Sequence, residues 1–208
     1  MLQASLDGEL SARQRLVLEA ALKHMAFLEE QIDALDRTLI AAMKPYEWAW
    51  KLLQTIPGLD EISSAMILIE IGDEMSRFGS AARLASWAAL CPGNNESAGK
   101  RKSGRIRRGN PVVRALLCEV ANAARHTKSV FRKKHDSLAL RRGHKRTIVA
   151  LAHKLLRTIY VVLAHRQPYR DSGIDYEAMS VIRNAPRWIK ALKKLGYWPQ
   201  PNSTPTAA

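Results

Sequence analysis

Apolar positions recur along this chain at helical spacing, and the alternation that marks a strand never persists. Between Gly8 and Pro45 there is neither glycine nor proline. There Leu18, Met25, Ile32 and Leu39 return every seven residues, and Ala21, Leu28, Leu35 and Ala42 each follow three later. This is the a/d seam of a coiled coil, with Glu29, Glu30, Asp33, Asp36 and Arg37 on the other faces. One helix cannot bury such a seam alone, so a second copy or another helix is expected against it. An amphipathic helix packed on its own domain gives the same pattern.

Beyond Pro45 the pattern predicts a helix ending at Ile56, a tight Pro57-Gly58-Leu59 turn, and a helix opening at Asp60 as N-cap. Ser80 to Leu90 reads as a short capped helix. Val112, Val113, Leu116, Leu117, Val120, Ala121 and Ala124 mark a buried stripe behind an Asn110 cap and Pro111 at the first helical position. Ile148, Leu151, Leu155, Ile159, Val162 and Leu163 mark another, which stops by Pro168. Two short helices are expected after Tyr169, the second holding Trp188, Ile189, Leu192 and Leu195, with a disordered tail from Pro199. The predicted fold is all-α, divided into an assembly helix (1–46), a compact helical domain (47–168) and a C-terminal extension (169–208).

Charge sharpens the picture. The formal net charge is +14, but residues 1–99 carry 8 basic and 14 acidic side chains, whereas residues 100–157 carry 18 basic and only 2 acidic ones. A basic excess in one block is the footprint of a polyanion-binding surface. Membrane headgroups are polyanionic too, but the aromatic anchors of an interfacial helix are missing and no apolar run reads as a span. The first residues lack the plan of a secretory signal, and Cys91 and Cys118 form no C-x-x-C pair. A cytoplasmic protein with no membrane partner is expected.

The block opens in a loop, Pro92 to Asn110, that mixes four glycines with Lys100, Arg101, Lys102, Arg105, Arg107 and Arg108. Glycine admits a close backbone approach, and lysine and arginine neutralise phosphate. The helix N-terminus at Asn110, with Arg114 one turn on, offers N–H groups to an anion. The same composition also describes a solvated surface loop. Ser97 and Ser103 are its two hydroxyls. The Ile56-to-Ala65 turn resembles a helix-hairpin-helix, in which Pro57, Gly58 and Leu59 would grip a phosphate, although Asp60 and Glu61 stand where a base would help. A plain αα-hairpin fits equally.

No metal site is expected. His126, His135, His144 and His153 are spaced nine apart, about two and a half helical turns, so successive members would face opposite ways on one helix. Asp60/Glu61 and Glu70/Asp73/Glu74 sit at a helix start and a helix end, where capping and solvation account for them.

Pro92, a serine five residues on, the basic glycine stretch, Arg105-Ile-Arg-Arg-Gly-Asn110 and Arg114-Ala-Leu-Leu together resemble the C-terminal Tnp domain of one insertion-sequence transposase family. These are the bridge-RNA-guided recombinases related to Piv-type DNA invertases. The Ile56–Leu59 hairpin, Gly72 to Phe78, Pro168-Tyr169, Asp171, Gly173, Asp175-Tyr176 and Leu195-Gly-Tyr197 follow in the same order, over about residues 10–200. The resemblance implies DNA and a structured guide RNA as partners, with Ser97 as the nucleophile. It also implies a RuvC-like half whose Asp/Glu cluster binds Mg²⁺, joined to the Tnp part by a coiled coil. In the commoner order glycine follows the serine directly; here Ala98 intervenes before Gly99, while Ser103-Gly104 keeps that dipeptide six residues too late. The sequence starts at the coiled coil, so the RuvC-like half is expected to be missing. Recombination would then need that half supplied. The alternative is a non-catalytic nucleic-acid-binding module that keeps the fold without the reaction.

If residues 10–44 form a homo-oligomer, sedimentation shows a dimer or larger species that Met25→Lys with Ile32→Lys weakens. The apolar area withheld from water is worth roughly 25 cal/mol per Å². A monomer indifferent to both substitutions refutes the assembly role.

Overall fold

The structure, a computed structural model, describes residues 11–91, 95–97, 99–103 and 108–197. Within them it is all-α, with eight α-helices and one small two-stranded hairpin. The chain divides between Glu47 and Trp48 into two units.

The first unit is essentially α1 (Ala12–Ala42). Its start is a capping box: the Ser11 hydroxyl accepts from the Gln14 N–H, and the Gln14 side chain accepts from the Ser11 N–H at 2.9 Å. No residue of α1 is buried, and Leu18, Met25 and Ile32 of the heptad seam are about half exposed. Nothing in this helix is held by a core of its own.

The second unit is built around α7 (His144–His165), which packs against α4 (Ala81–Trp87), α5 (Pro111–Ala124) and α6 (Val130–Arg142). α7 is long and apolar enough to cross a membrane by composition, contrary to the expectation that no such run exists. Its apolar stripe is buried at Leu151, Leu155, Leu156 and Ile159, so it is the core helix of this unit. It ends on Arg166 in the left-handed region (φ 51°), whose guanidinium lies 4.5 Å from the centroid of a Trp48 ring.

α2 (Glu47–Leu53) and α3 (Glu61–Ile71) flank the Pro57-Gly58-Leu59 turn, and α2 stops at Leu53 rather than at the expected Ile56. The Trp50 indole N–H donates to the Glu61 carbonyl at 2.8 Å, and Ile56 and Leu59 are buried. Asp60 caps α3: its carboxylate accepts from the Ser63 N–H at 2.7 Å, and the Ser63 hydroxyl accepts from the Asp60 N–H at 3.0 Å. The Ser63 hydroxyl and N–H hold the Asp60 carboxyl below its ordinary range. Gly58 has φ +92°, and a Cβ there would come within 2.7 Å of the Ala124 backbone nitrogen and 2.8 Å of the Val120 carbonyl oxygen. The turn glycine therefore serves the packing of the hairpin on α5.

Three elements depart from the sequence pattern. Asn95–Ser97 (β1) and Lys100–Ser103 (β2) pair as antiparallel strands, too short to show a period. The basic stretch after Ser129 is the helix α6, hidden because only Val130, Phe131 and His135 of it are buried. The C-terminal region is one helix, α8 (Tyr176–Lys194), not two. Pro186 lies within it, where it has no N–H to donate to the preceding turn. Residues 199–208, read as a disordered tail, lie outside the described residues.

Gly58→Ala combines a left-handed alanine with overpacking and is expected to cost about 2–4 kcal/mol. Gly72→Ala, also at positive φ (+70°) but with no atom within 4 Å of the new methyl, should cost only about 1–2 kcal/mol. Urea midpoints measure both, and equal losses contradict the packing account of Gly58.

Candidate nucleic-acid interface

The basic loop leaves α4 at Leu90 and returns at Arg108. Between these points β1 and β2 pair with Ser97 opposite Lys100, Glu96 opposite Arg101 and Asn95 opposite Ser103. A register shift beside Asn95 leaves Lys102 without a Cα partner. Gly99, in the connection between the strands, takes φ +72°. Gly99, one place later than in the commoner family order, thus occupies a turn position that favours glycine. The two candidate serines are separated by this register: Ser97 is beside the turn, Ser103 at the opposite end.

The return of the loop is pinned twice. At Gly109 an added Cβ would fall 2.4 Å from the Ala89 Cβ and 2.9 Å from the Ala88 carbonyl carbon. At Asn110 the side-chain carbonyl accepts from the N–H groups of Val112 (2.9 Å) and Val113 (3.1 Å), while its amide donates to the Glu70 carboxylate at 2.6 Å. One side chain thus caps α5 and ties it to the last turn of α3, forty residues earlier in the chain. Pro111 has no N–H, and the Arg114 N–H goes to the Asn110 carbonyl at 3.3 Å. The first-turn donors predicted to receive an anion are therefore already satisfied within the chain.

The remaining predicted residues fall as follows. Lys100, Arg101 and Lys102 lie on β2, Arg108 is exposed at the loop's return, and Arg114 is half-buried on the first turn of α5. Arg105 and Arg107 lie outside the described residues. Pro57, Gly58 and Leu59 meet α5 near Val120 and Ala124, roughly 18 Å along the helix axis from Asn110. The hairpin and the basic loop are thus at opposite ends of α5 and do not converge.

Among the described residues no three His, Cys, Asp or Glu side chains gather as metal ligands. Asp60 caps α3, Glu70 holds Asn110, and Glu74 accepts from the Ser76 hydroxyl and the Arg77 guanidinium, which lower its pKa in that order. His135 and His144, read as facing apart on one helix, are on successive helices, with ring centroids 5.9 Å apart. Cys91 and Cys118 are free, and burial pushes the Cys118 thiol up despite the nearby Arg114 charge.

Sequence reasoning missed Glu70 and Gly109. Gly109-Asn110-Pro111 announces a cap and a close approach. Nothing local identifies Glu70, whose partner is set only by the crossing of α3 and α5.

Residues 50–136 match the family described as Transposase IS116/IS110/IS902 family. That stretch runs from the α2–α3 hairpin through the basic loop to α6. The transposase for insertion sequence element IS1111A of Coxiella burnetii (strain RSA 493 / Nine Mile phase I) is 30% identical over 166 residues, 77% of this chain and 45% of that protein. The transposase candidate y4pF/y4sB of Sinorhizobium fredii (strain NBRC 101917 / NGR234) is 30% identical over 148 residues, 68% of this chain and 38% of that protein. The relationship is to insertion-sequence transposases, and this chain spans less than half the length of these curated relatives.

Asn110→Ala removes both the cap and the tie to Glu70 and is expected to cost about 2–3 kcal/mol. Asn110→Ser keeps a capping oxygen but cannot donate an amide to Glu70, so about half of the loss should return. Equal urea midpoints for Asn110→Ser and the wild type would show that the tie to Glu70 contributes nothing, and equal midpoints for Asn110→Ser and Asn110→Ala would show the same of the cap.

Proposed function

We propose that this chain is the nucleic-acid-binding, serine-bearing part of an insertion-sequence transposase acting in DNA transposition. The family match over residues 50–136 carries this reading, because that stretch contains the basic loop with Ser97. The concentration of 18 basic residues in positions 100–157 supports a nucleic-acid partner, DNA with a structured guide RNA. The exposed heptad face of α1 supports assembly with a second copy of the chain.

In this reading the Ser97 Oγ attacks a backbone phosphorus. An Oγ–P bond forms as the P–O bond to the departing deoxyribose breaks. The hydroxyl proton passes to a base, and the leaving oxygen takes up a proton. Phosphate charge is met by Lys100, Arg101, Lys102 and Arg108 around the loop, with Arg105 and Arg107 in the same segment. The pairing of β1 with β2 sets Ser97 opposite Lys100 in register. Asp60, Glu70 and Glu74 are engaged in capping and side-chain hydrogen bonds. Mg²⁺ in this scheme belongs to the RuvC-like part that the family resemblance implies, and no step here runs through it.

The full chain, mixed with a RuvC-like part from a related transposase, Mg²⁺ and a cognate DNA end, is expected to yield a covalent protein–DNA adduct on denaturing gels. Ser97→Ala should abolish the adduct and leave binding intact, since the basic side chains remain. Ser103→Ala should do much less. An adduct that survives Ser97→Ala and disappears with Ser103→Ala moves the nucleophile to the other end of the hairpin. Binding with no adduct from any form favours the non-catalytic module.

A further inference from the structure

The basic block also builds a second feature away from the hairpin. Lys134 on α6, Lys154 and Arg157 one turn apart on α7, and the segment leading from Pro168 to Tyr176 line an open cleft of ≈ 590 Å³. The segment is fastened over the start of α6. The Tyr169 N–H donates to the Thr55 hydroxyl at 2.9 Å, the Tyr169 ring stacks on Phe131 with centroids 5.7 Å apart, and the Asp171 carboxylate accepts from the Val130 N–H at 2.8 Å. Tyr176 then closes one side: its hydroxyl accepts from the Lys154 ammonium at 2.9 Å, and the ammoniums of Lys154 and Lys134 lie 5.4 and 5.8 Å from its ring centroid.

Among the described residues no carboxylate forms an ion pair with Lys134, Lys154 or Arg157; the α6 pairs are Arg132 and His135 with Asp136. The oxygens of Asp171 accept from the N–H groups of Val130 and Gly173. Burial first, then the charges of Lys154 and Arg157, pull the Lys134 ammonium down to about 8. Burial, then Asp171, pushes the Tyr169 hydroxyl up to about 12, so it keeps its proton, and it is buried with no hydrogen-bond partner among the described residues. Crowded cations in one cleft are complementary to an acceptor-only anion.

We propose that this cleft receives a phosphate group of a nucleic-acid strand, bound by Lys134, Lys154 and Arg157, with the Tyr176 ring beside the adjoining nucleotide. The inference rests on the nucleic-acid reading above and adds a defined contact to it. A phosphodiester offers the anionic oxygens that no described carboxylate gives these cations, the volume suits one nucleotide, and an aromatic face beside a cationic groove is how proteins hold a strand without reading its sequence. Lys154, Arg157 and Tyr176 lie beyond the family match, which ends at residue 136.

The test uses the full chain, a short fluorescein-labelled DNA followed by anisotropy, and tyrosine-ring NMR signals assigned with Tyr176→Phe. DNA is expected to shift the Tyr169 and Tyr176 signals. Lys154→Gln with Arg157→Gln should weaken binding about tenfold and reduce the log–log salt slope by about 0.9, the value of one phosphate. The surface control Arg187→Gln with Lys190→Gln, of equal charge change, should do neither. Tyr176→Phe, which keeps the ring and loses only the Lys154 contact, should weaken binding about threefold and guards against a folding defect in the double variant. DNA that binds while both tyrosines stay silent, or a pocket variant no weaker than the surface control, overturns the cleft and leaves the nucleic-acid reading standing. A wild-type chain that binds no DNA overturns both. Inorganic phosphate at matched ionic strength shifting the same signals as strongly as DNA overturns the strand as the source of the phosphate.

Discussion

The Asn110 side chain is where the second unit's geometry is decided. Its carbonyl completes the first turn of α5 and its amide reaches Glu70 at 2.6 Å, so one residue orients two helices and fixes where the basic loop ends. Charge-assisted hydrogen bonds of this kind are stronger than neutral ones and need both partners in place. The close approach of Gly109 to Ala88 and Ala89 fixes the same point from the other side. The return of the basic loop into α5 is therefore held from both sides.

That arrangement changes how the basic residues are understood. A helix N-terminus attracts anions through unsatisfied N–H groups, and at α5 those groups are already used. Any affinity for phosphate at the loop must come from side chains. Lysine and arginine fall in two separate places, along the sequence of β2 and in the cleft between α6, α7 and the Pro168–Tyr176 segment. The cleft holds its cations together at a cost visible in the depressed Lys134, and only packing of neighbouring elements imposes that cost. Similar reasoning applies to Gly58: the residue that resembles a phosphate-gripping glycine is required by the Ala124 backbone it touches.

Much of the helical framework was legible beforehand. Caps and periodicity are local properties, so Ser80, Asp60 and Asn110 announced helix starts, and the stripes of α5 and α7 announced the core faces. The elements that escaped are those with weak local signals. α6 buries too few residues to show a stripe, the strands of the hairpin are shorter than a readable alternation, and Pro186 reads as a break although α8 runs through it.

By itself the sequence determined the helical class, the position of the basic block, the heptad face of α1 and the motif order shared with insertion-sequence transposases, because each is written in neighbouring residues. Tertiary structure alone decided that Glu70 meets Asn110, that Gly58 and the basic loop lie at opposite ends of α5, and that Lys134, Lys154 and Arg157 share one cleft. These pairings join residues 20 or more positions apart, or elements that meet only when α3, α5, α6 and α7 pack. The physical reason is that hydrophobic spacing specifies which face a helix buries but not which neighbour covers it, and side chains converge only after that neighbour is chosen.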